Sequence, residues 1–130
     1  MPITNLWYDL FMATENKIQF AHFDWIDIQS PDQKVIDQLR ETYHFHPLDL
    51  EDCLKISHRS KIDIYDNYIF LVFIFPIYDS KTREIKSAEI NFFISKDYLI
   101  SIHRGNIQTF NKFRSVFKLS PNFGPDIIKD

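Results

Sequence analysis

Only two of the 130 residues are glycine, Gly105 and Gly124, and only one is cysteine, Cys53. Two glycines that far apart build no phosphate-cradling loop, which needs several close together so that backbone N–H groups can close on the anion. A lone cysteine excludes an internal disulfide framework and suits a reducing compartment. Cys53 also falls in a helical stretch with no evident base to activate it as a nucleophile. A surplus of positive charge is lacking too. The 15 basic and 18 acidic side chains leave a formal −3, which gives no electrostatic footprint for nucleic acid or anionic lipid. No apolar run approaches the ~20 residues of a membrane-spanning helix. The longest, Tyr68–Tyr78, has eleven; it contains Pro76 and is rich in Ile, Val and Phe, which reads as a buried strand. Met1–Ala13 has no basic lead and is interrupted by Asp9, so no signal peptide is expected.

What is present is material for one sizeable core. Apolar residues make up 45% of the chain and aromatics 16%, with 13 phenylalanines, which argues against disorder. Leu6–Ala13 and Lys17–Phe23 read as short strands around a Glu15-Asn16 turn, and Trp25–Ile28 as a third. Ser30-Pro31-Asp32-Gln33 is a helix start, with Ser30 as cap, Pro31 in the first turn and Gln33 completing a capping box. Val35, Ile36, Leu39 and Tyr43 then share one face of a helix reaching about His44. Pro47 opens a shorter helix to about Leu54. Ser60–Tyr65 alternates as a half-buried strand does, with Ile62 and Ile64 on one side. Tyr68–Tyr78 and Glu84–Ser95 are long strands joined by Asp79–Arg83. Lys96-Asp97 turns into Tyr98–His103. A last helix, capped by Asn106, carries Ile107, Phe110, Phe113 and Phe117 near one face. Strands grouped around helices, with an antiparallel meander in the middle, indicate an α/β or mixed α+β domain.

Few residues here can carry chemistry. On the Pro47 helix, Asp49 and Asp52 are three apart and share a face, while Glu51 points elsewhere and can pair with Lys55. On the residues alone, a solvated acidic turn near the positive helix N-terminus accounts for these carboxylates better than a metal role does. His44 and His46, with Cys53 and His58 downstream, superficially suggest zinc, but paired zinc ligands are spaced more widely. His46 reads instead as a turn histidine positioning Pro47 and Leu48. His103 ends a strand with no visible base or nucleophile partner. Arg59 and Lys61 flank a strand start, either solvated or with Arg59 bound to a carboxylate of the Glu51/Asp52 helix.

The order Phe45-His46-Pro47-Leu48, then Glu51-Asp52, then Arg59-x-Lys61 running into the Tyr68 strand, resembles the CorA family of divalent-cation transporters. The likeness is to its N-terminal domain, which carries an HPL-x-x-ED helix and an R-x-K-x-x-x-Y continuation. Trp25-Ile26-Asp27 and the run from Tyr68 through Glu89 to Ser101-Ile102-His103 fit as well. This resemblance implies a mixed, largely antiparallel central sheet sandwiched between helices. It implies a single soluble regulatory domain over residues 1–130, non-enzymatic and on the cytoplasmic side of the cell inner membrane. Stalk and transmembrane helices and a Gly-Met-Asn pore motif would lie beyond Pro121–Pro125 and the element that Asp126-Ile127-Ile128 begins. By resemblance, Asp52, with Glu51 near it, pairs with an acidic residue of a neighbouring subunit's stalk helix to bind Mg²⁺ (or Co²⁺, Ni²⁺ or Zn²⁺) in a homopentamer. His46, Pro47, Leu48, Arg59 and Lys61 form the structural motif. The alternatives are a ZntB-like zinc transporter on the same domain, a metal-dependent enzyme using Asp49, Asp52 and His46, or a free-standing interaction module.

Overall fold

In the computed structural model, the residues described are 17–20, 23–105 and 107–119. They form β1 (Lys17–Phe20), β2 (Phe23–Gln29), α1 (Gln33–Tyr43) and α2 (Pro47–Asp52), followed by β3 (Lys61–Ile64), β4 (Ile69–Asp79), β5 (Glu84–Ile94), β6 (Tyr98–His103) and α3 (Gln108–Leu119). The expected strand over Leu6–Ala13, the Asn106 cap, the Phe117 side chain and everything from Ser120 onward lie outside the described residues.

The strands make one six-stranded sheet in the order β1-β2-β6-β5-β4-β3. Only β2 and β6 run parallel; every other neighbouring pair is antiparallel. Strand alternation gives the sheet two apolar faces. Ile26, Ile28, Ile100, Ile102, Phe93, Phe70 and Val72 point to one face and pack with Ile36 and Leu39 of α1 and Leu50 of α2. Trp25 and Leu99 point to the other, beneath Phe110 of α3. The sheet is therefore flanked by helices on both sides, a mixed α/β architecture with antiparallel pairing dominant. Each fully buried side chain in this core, such as Phe70, Phe93 or Leu39, contributes roughly 1.5–3 kcal/mol.

Local chemistry departs from the sequence reading at several points. The cap of α1 is Asp32, not Ser30: its Oδ1 accepts from the Val35 N–H at 2.9 Å. Ser30 sits instead at φ 52° and receives the Gly105 N–H on its hydroxyl. Helix α1 ends at Tyr43, closed by His44 in the left-handed region with its N–H bonded to the Arg40 carbonyl. Helix α2 stops at Asp52 rather than Leu54. On β3 the alternation is inverted. Ile62 and Ile64 do share a side, but that side faces outward, 63% and 76% exposed, while Lys61 and Asp63 take the half-buried side towards α2.

Candidate metal centre

Helix α2 has only six residues, too few to persist alone, so its position depends on tertiary anchors. His46 is its N-cap, with Nδ1 accepting from the Leu48 N–H at 3.1 Å, and Pro47 supplies the preset φ of the first turn. The His46 N–H in turn donates to the Tyr68 hydroxyl at 2.9 Å. That hydroxyl donates to Asp49 Oδ2 at 3.0 Å. Asp49 is wholly buried, and burial holds its carboxyl above the ordinary carboxylate range. At the far end the Cys53 thiol is buried and donates to the Asp49 carbonyl, while Asn91 of β5 donates to the carbonyl of Asp52. Burial pushes the Cys53 thiol well up, away from thiolate chemistry.

Asp52 is thereby set at the rim, its side chain 16% exposed, with Oδ2 2.6 Å from Lys61 Nζ. The same ammonium is 3.3 Å from Asp63 and 5.5 Å from the centre of the Phe70 ring. The Asp52 carboxylate, with Asp63 adding to it, holds Lys61 above the usual lysine range. Burial alone would raise Asp63, but the neighbouring Asp49 carboxyl and Lys61 hold it lower. Glu51 points away and meets Lys55 at 3.5 Å, as its spacing requires. Leu48, one turn before Asp52, is 61% exposed.

The structure therefore brings Asp52 and Lys61 together and leaves Arg59 apart. Arg59 makes no ion pair among the described residues, and Glu89 fixes the loop ahead of it by accepting from the Ser57 and His58 N–H groups. The partner of the α2 carboxylate is Lys61, which β3 presents on its half-buried side. Among the described residues, no three His, Cys, Asp or Glu side chains converge as a metal cluster. A groove of about 690 Å³ is lined by Cys53, His58, Glu89, Asn91 and Arg104, and His46, Asp49 and Asp52 are not among its lining residues.

His103 does have a carboxylate partner. It is buried, with Nε2 2.9 Å from Asp27 Oδ2 and Nδ1 2.9 Å from the Gly105 carbonyl. The Ser101 hydroxyl donates to Asp27 Oδ1 at 2.6 Å and accepts from the Trp25 indole at 3.0 Å. Arg114 of α3 approaches Asp27 at 3.7 Å. The available signal was strand phase. Asp27 in Trp25–Ile28 and Ser101 in Tyr98–His103 occupy inward positions of strands that pair with Asp27 opposite Ser101. This array lies under α3 and its Ser hydroxyl is wholly buried, so it is structural wiring and not a nucleophile.

The described fold is thus a two-faced sheet with a short helix that holds an ion-paired carboxylate at its rim. The family model described as CorA-like Mg²⁺ transporter protein matches residues 20–127, so the chain belongs to that family, one of transporters and not of enzymes. It is 30% identical over 105 residues to YfjQ of Bacillus subtilis, named as a metal ion transporter, covering 81% of this chain and 30% of that protein. It is 30% identical over 77 residues to the cobalt/magnesium transport protein CorA of Thermotoga maritima, covering 58% of this chain and 22% of that protein. The chain thus spans less than a third of the length of these relatives. In fold it is similar to the soluble domain of CorA from Methanocaldococcus jannaschii, with TM-score 0.61, 15% identity, and coverage of 76% of this chain and 38% of that one. The complete CorA from the same organism gives TM-score 0.61 at 15% identity, covering 81% of this chain and 33% of that one. No helix among the described residues is long and apolar enough to cross a membrane.

Proposed function

We propose that this chain is the regulatory domain of a longer CorA-like transporter of Mg²⁺ or another divalent metal (Co²⁺, Ni²⁺, Zn²⁺), lying on the cytoplasmic side of the inner membrane. Asp52, with Glu51 beside it, supplies one subunit's part of a cation site. An acidic residue on a neighbouring subunit's stalk helix, in a pentamer, completes it. The donor set fits a hard cation: carboxylate oxygens, few in number, suit Mg²⁺, which keeps several of its waters. One chain offers only part of a site, since Asp52 Oδ2 is engaged by Lys61 and Glu51 lies on the open side of α2.

The observation that carries this reading is the anchoring of α2. Its buried side is locked through Asp49, Tyr68 and His46, while Leu48, Glu51 and the edge of Asp52 are left open for a partner. Occupancy neutralises carboxylates that repel one another across subunits and so favours the closed assembly; falling Mg²⁺ releases it. The ion shifts the population by its differential affinity for the two assemblies.

The test is Asp52→Asn in the full-length protein. The domain should stay folded, because a partly exposed ion pair is worth about 1 kcal/mol or less. Transport should respond less steeply to internal Mg²⁺, and Mg²⁺ should protect the assembly less from protease. Asp32→Asn keeps the α1 cap and should leave both responses intact. An Asp52→Asn protein matching wild type in both would remove Asp52 from the site.

A further inference from the structure

We infer that Lys61 is the internal counter-ion of this site: it holds the Asp52 carboxylate while no divalent ion is present, and a binding ion must drive it over to Asp63. The inference rests on the reading of Asp52 as a cation ligand and adds what sets the affinity of that ligand. One ammonium stands between two carboxylates, 2.6 Å from Asp52 and 3.3 Å from Asp63. An ammonium has three donors, so both contacts can coexist and either can strengthen as the other is lost. The side chain is 37% exposed, which leaves it room to shift, and its charged end lies over the Phe70 ring, 5.5 Å from the centroid.

An incoming cation therefore meets a positive charge already on the oxygen it needs. A monovalent ion brings no more charge than the ammonium and lacks its tether, which keeps Lys61 at a high effective concentration. A divalent ion brings twice the charge and can displace it. Asp63 receives the displaced ammonium, so the exchange leaves no lysine unpaired. Lys61 thus weakens the site for every cation, because each must displace the same ammonium.

Mn²⁺, a hard oxygen-seeking ion whose unpaired electrons broaden nearby amide signals, is the probe. The ¹⁵N-labelled chain is titrated with it, and the Mn²⁺ concentration for half-broadening around Glu51, Asp52 and Lys61 is read. Lys61→Met should lower that concentration about two- to fivefold, the range expected when a partly exposed ion pair no longer competes. Lys86→Met removes an equal charge beside Asp79 on the distal hairpin and should change nothing. Asp52→Asn should abolish the local broadening in either background. Signal dispersion reports folding in the same spectra, and Lys61→Gln serves as the second neutral variant should the Met variant lose it. Half-broadening in the neutral variants at the wild-type concentration or above, with Asp52→Asn still abolishing it, overturns the counter-ion role alone. Broadening that survives Asp52→Asn overturns the ligand reading beneath it.

Discussion

At the scale of single residues, the carboxylates of this chain differ by what surrounds them. Asp49 is buried and held towards its neutral form, Asp52 is ion-paired at the rim, and Asp79 organises a turn. Asp79 Oδ1 accepts from the Lys81 and Thr82 N–H groups and Oδ2 meets Lys86 at 3.3 Å. The backbone N–H of Lys81, then the Lys86 ammonium, holds its carboxyl below the ordinary range. A depressed folded-state value stabilises the protein above the unfolded value of about 3.9 and ceases to do so as pH falls through the folded one. Asp79→Asn should therefore melt below wild type near neutrality, with the gap closing as pH drops below about 4. Thermal melts at several pH values check this, and a gap unchanged at low pH would contradict it.

At the scale of elements, α3 is held to the sheet by two unlike means. Phe110 packs edge-on against Trp25, with centroids 5.8 Å apart, and Arg114 reaches the buried Asp27–His103–Ser101 array. Asp27→Asn removes the buried carboxylate that Arg114, His103 and Ser101 share, and breaking such a buried pair costs about 3–5 kcal/mol. Hydrogen exchange should show α3 amides losing protection before those of β4 and β5; equal loss everywhere would mean the array does not tether α3. Most strands and helices were legible because their signals are local: alternation, helix starts, turn chemistry. The Asp52 helix was legible as a motif. What was not legible depends on which strands become neighbours. Asp27 meets Ser101 only because β2 and β6 pair in parallel across most of the chain. Lys61, not Arg59, meets Asp52 because β3 turns its polar side inward, against the usual alternation. The same inversion leaves Ile62 and Ile64 facing out, which no propensity rule would choose for a free-standing edge strand.

At the scale of the whole molecule, the inverted edge and the open face of α2 suit a domain that works against further protein. The matched region makes up only 30% of one longer relative and 22% of another. On the proposed reading, exposed Leu48, Ile62, Ile64 and Phe73 are the surfaces available for subunit or stalk contacts. On the same reading, this chain contributes Asp52 to a cation site completed by a neighbour. Calorimetric titration with Mg²⁺, run on the 130-residue chain alone and on the full-length assembly, tests it most directly. A shared site should bind in the assembly and fall to a Kd of about 1 mM or weaker in the chain alone, the weak limit of oxygen-ligand sites. Saturable binding to the chain alone at micromolar Mg²⁺ would contradict it, because a site that tight must already be complete within one subunit.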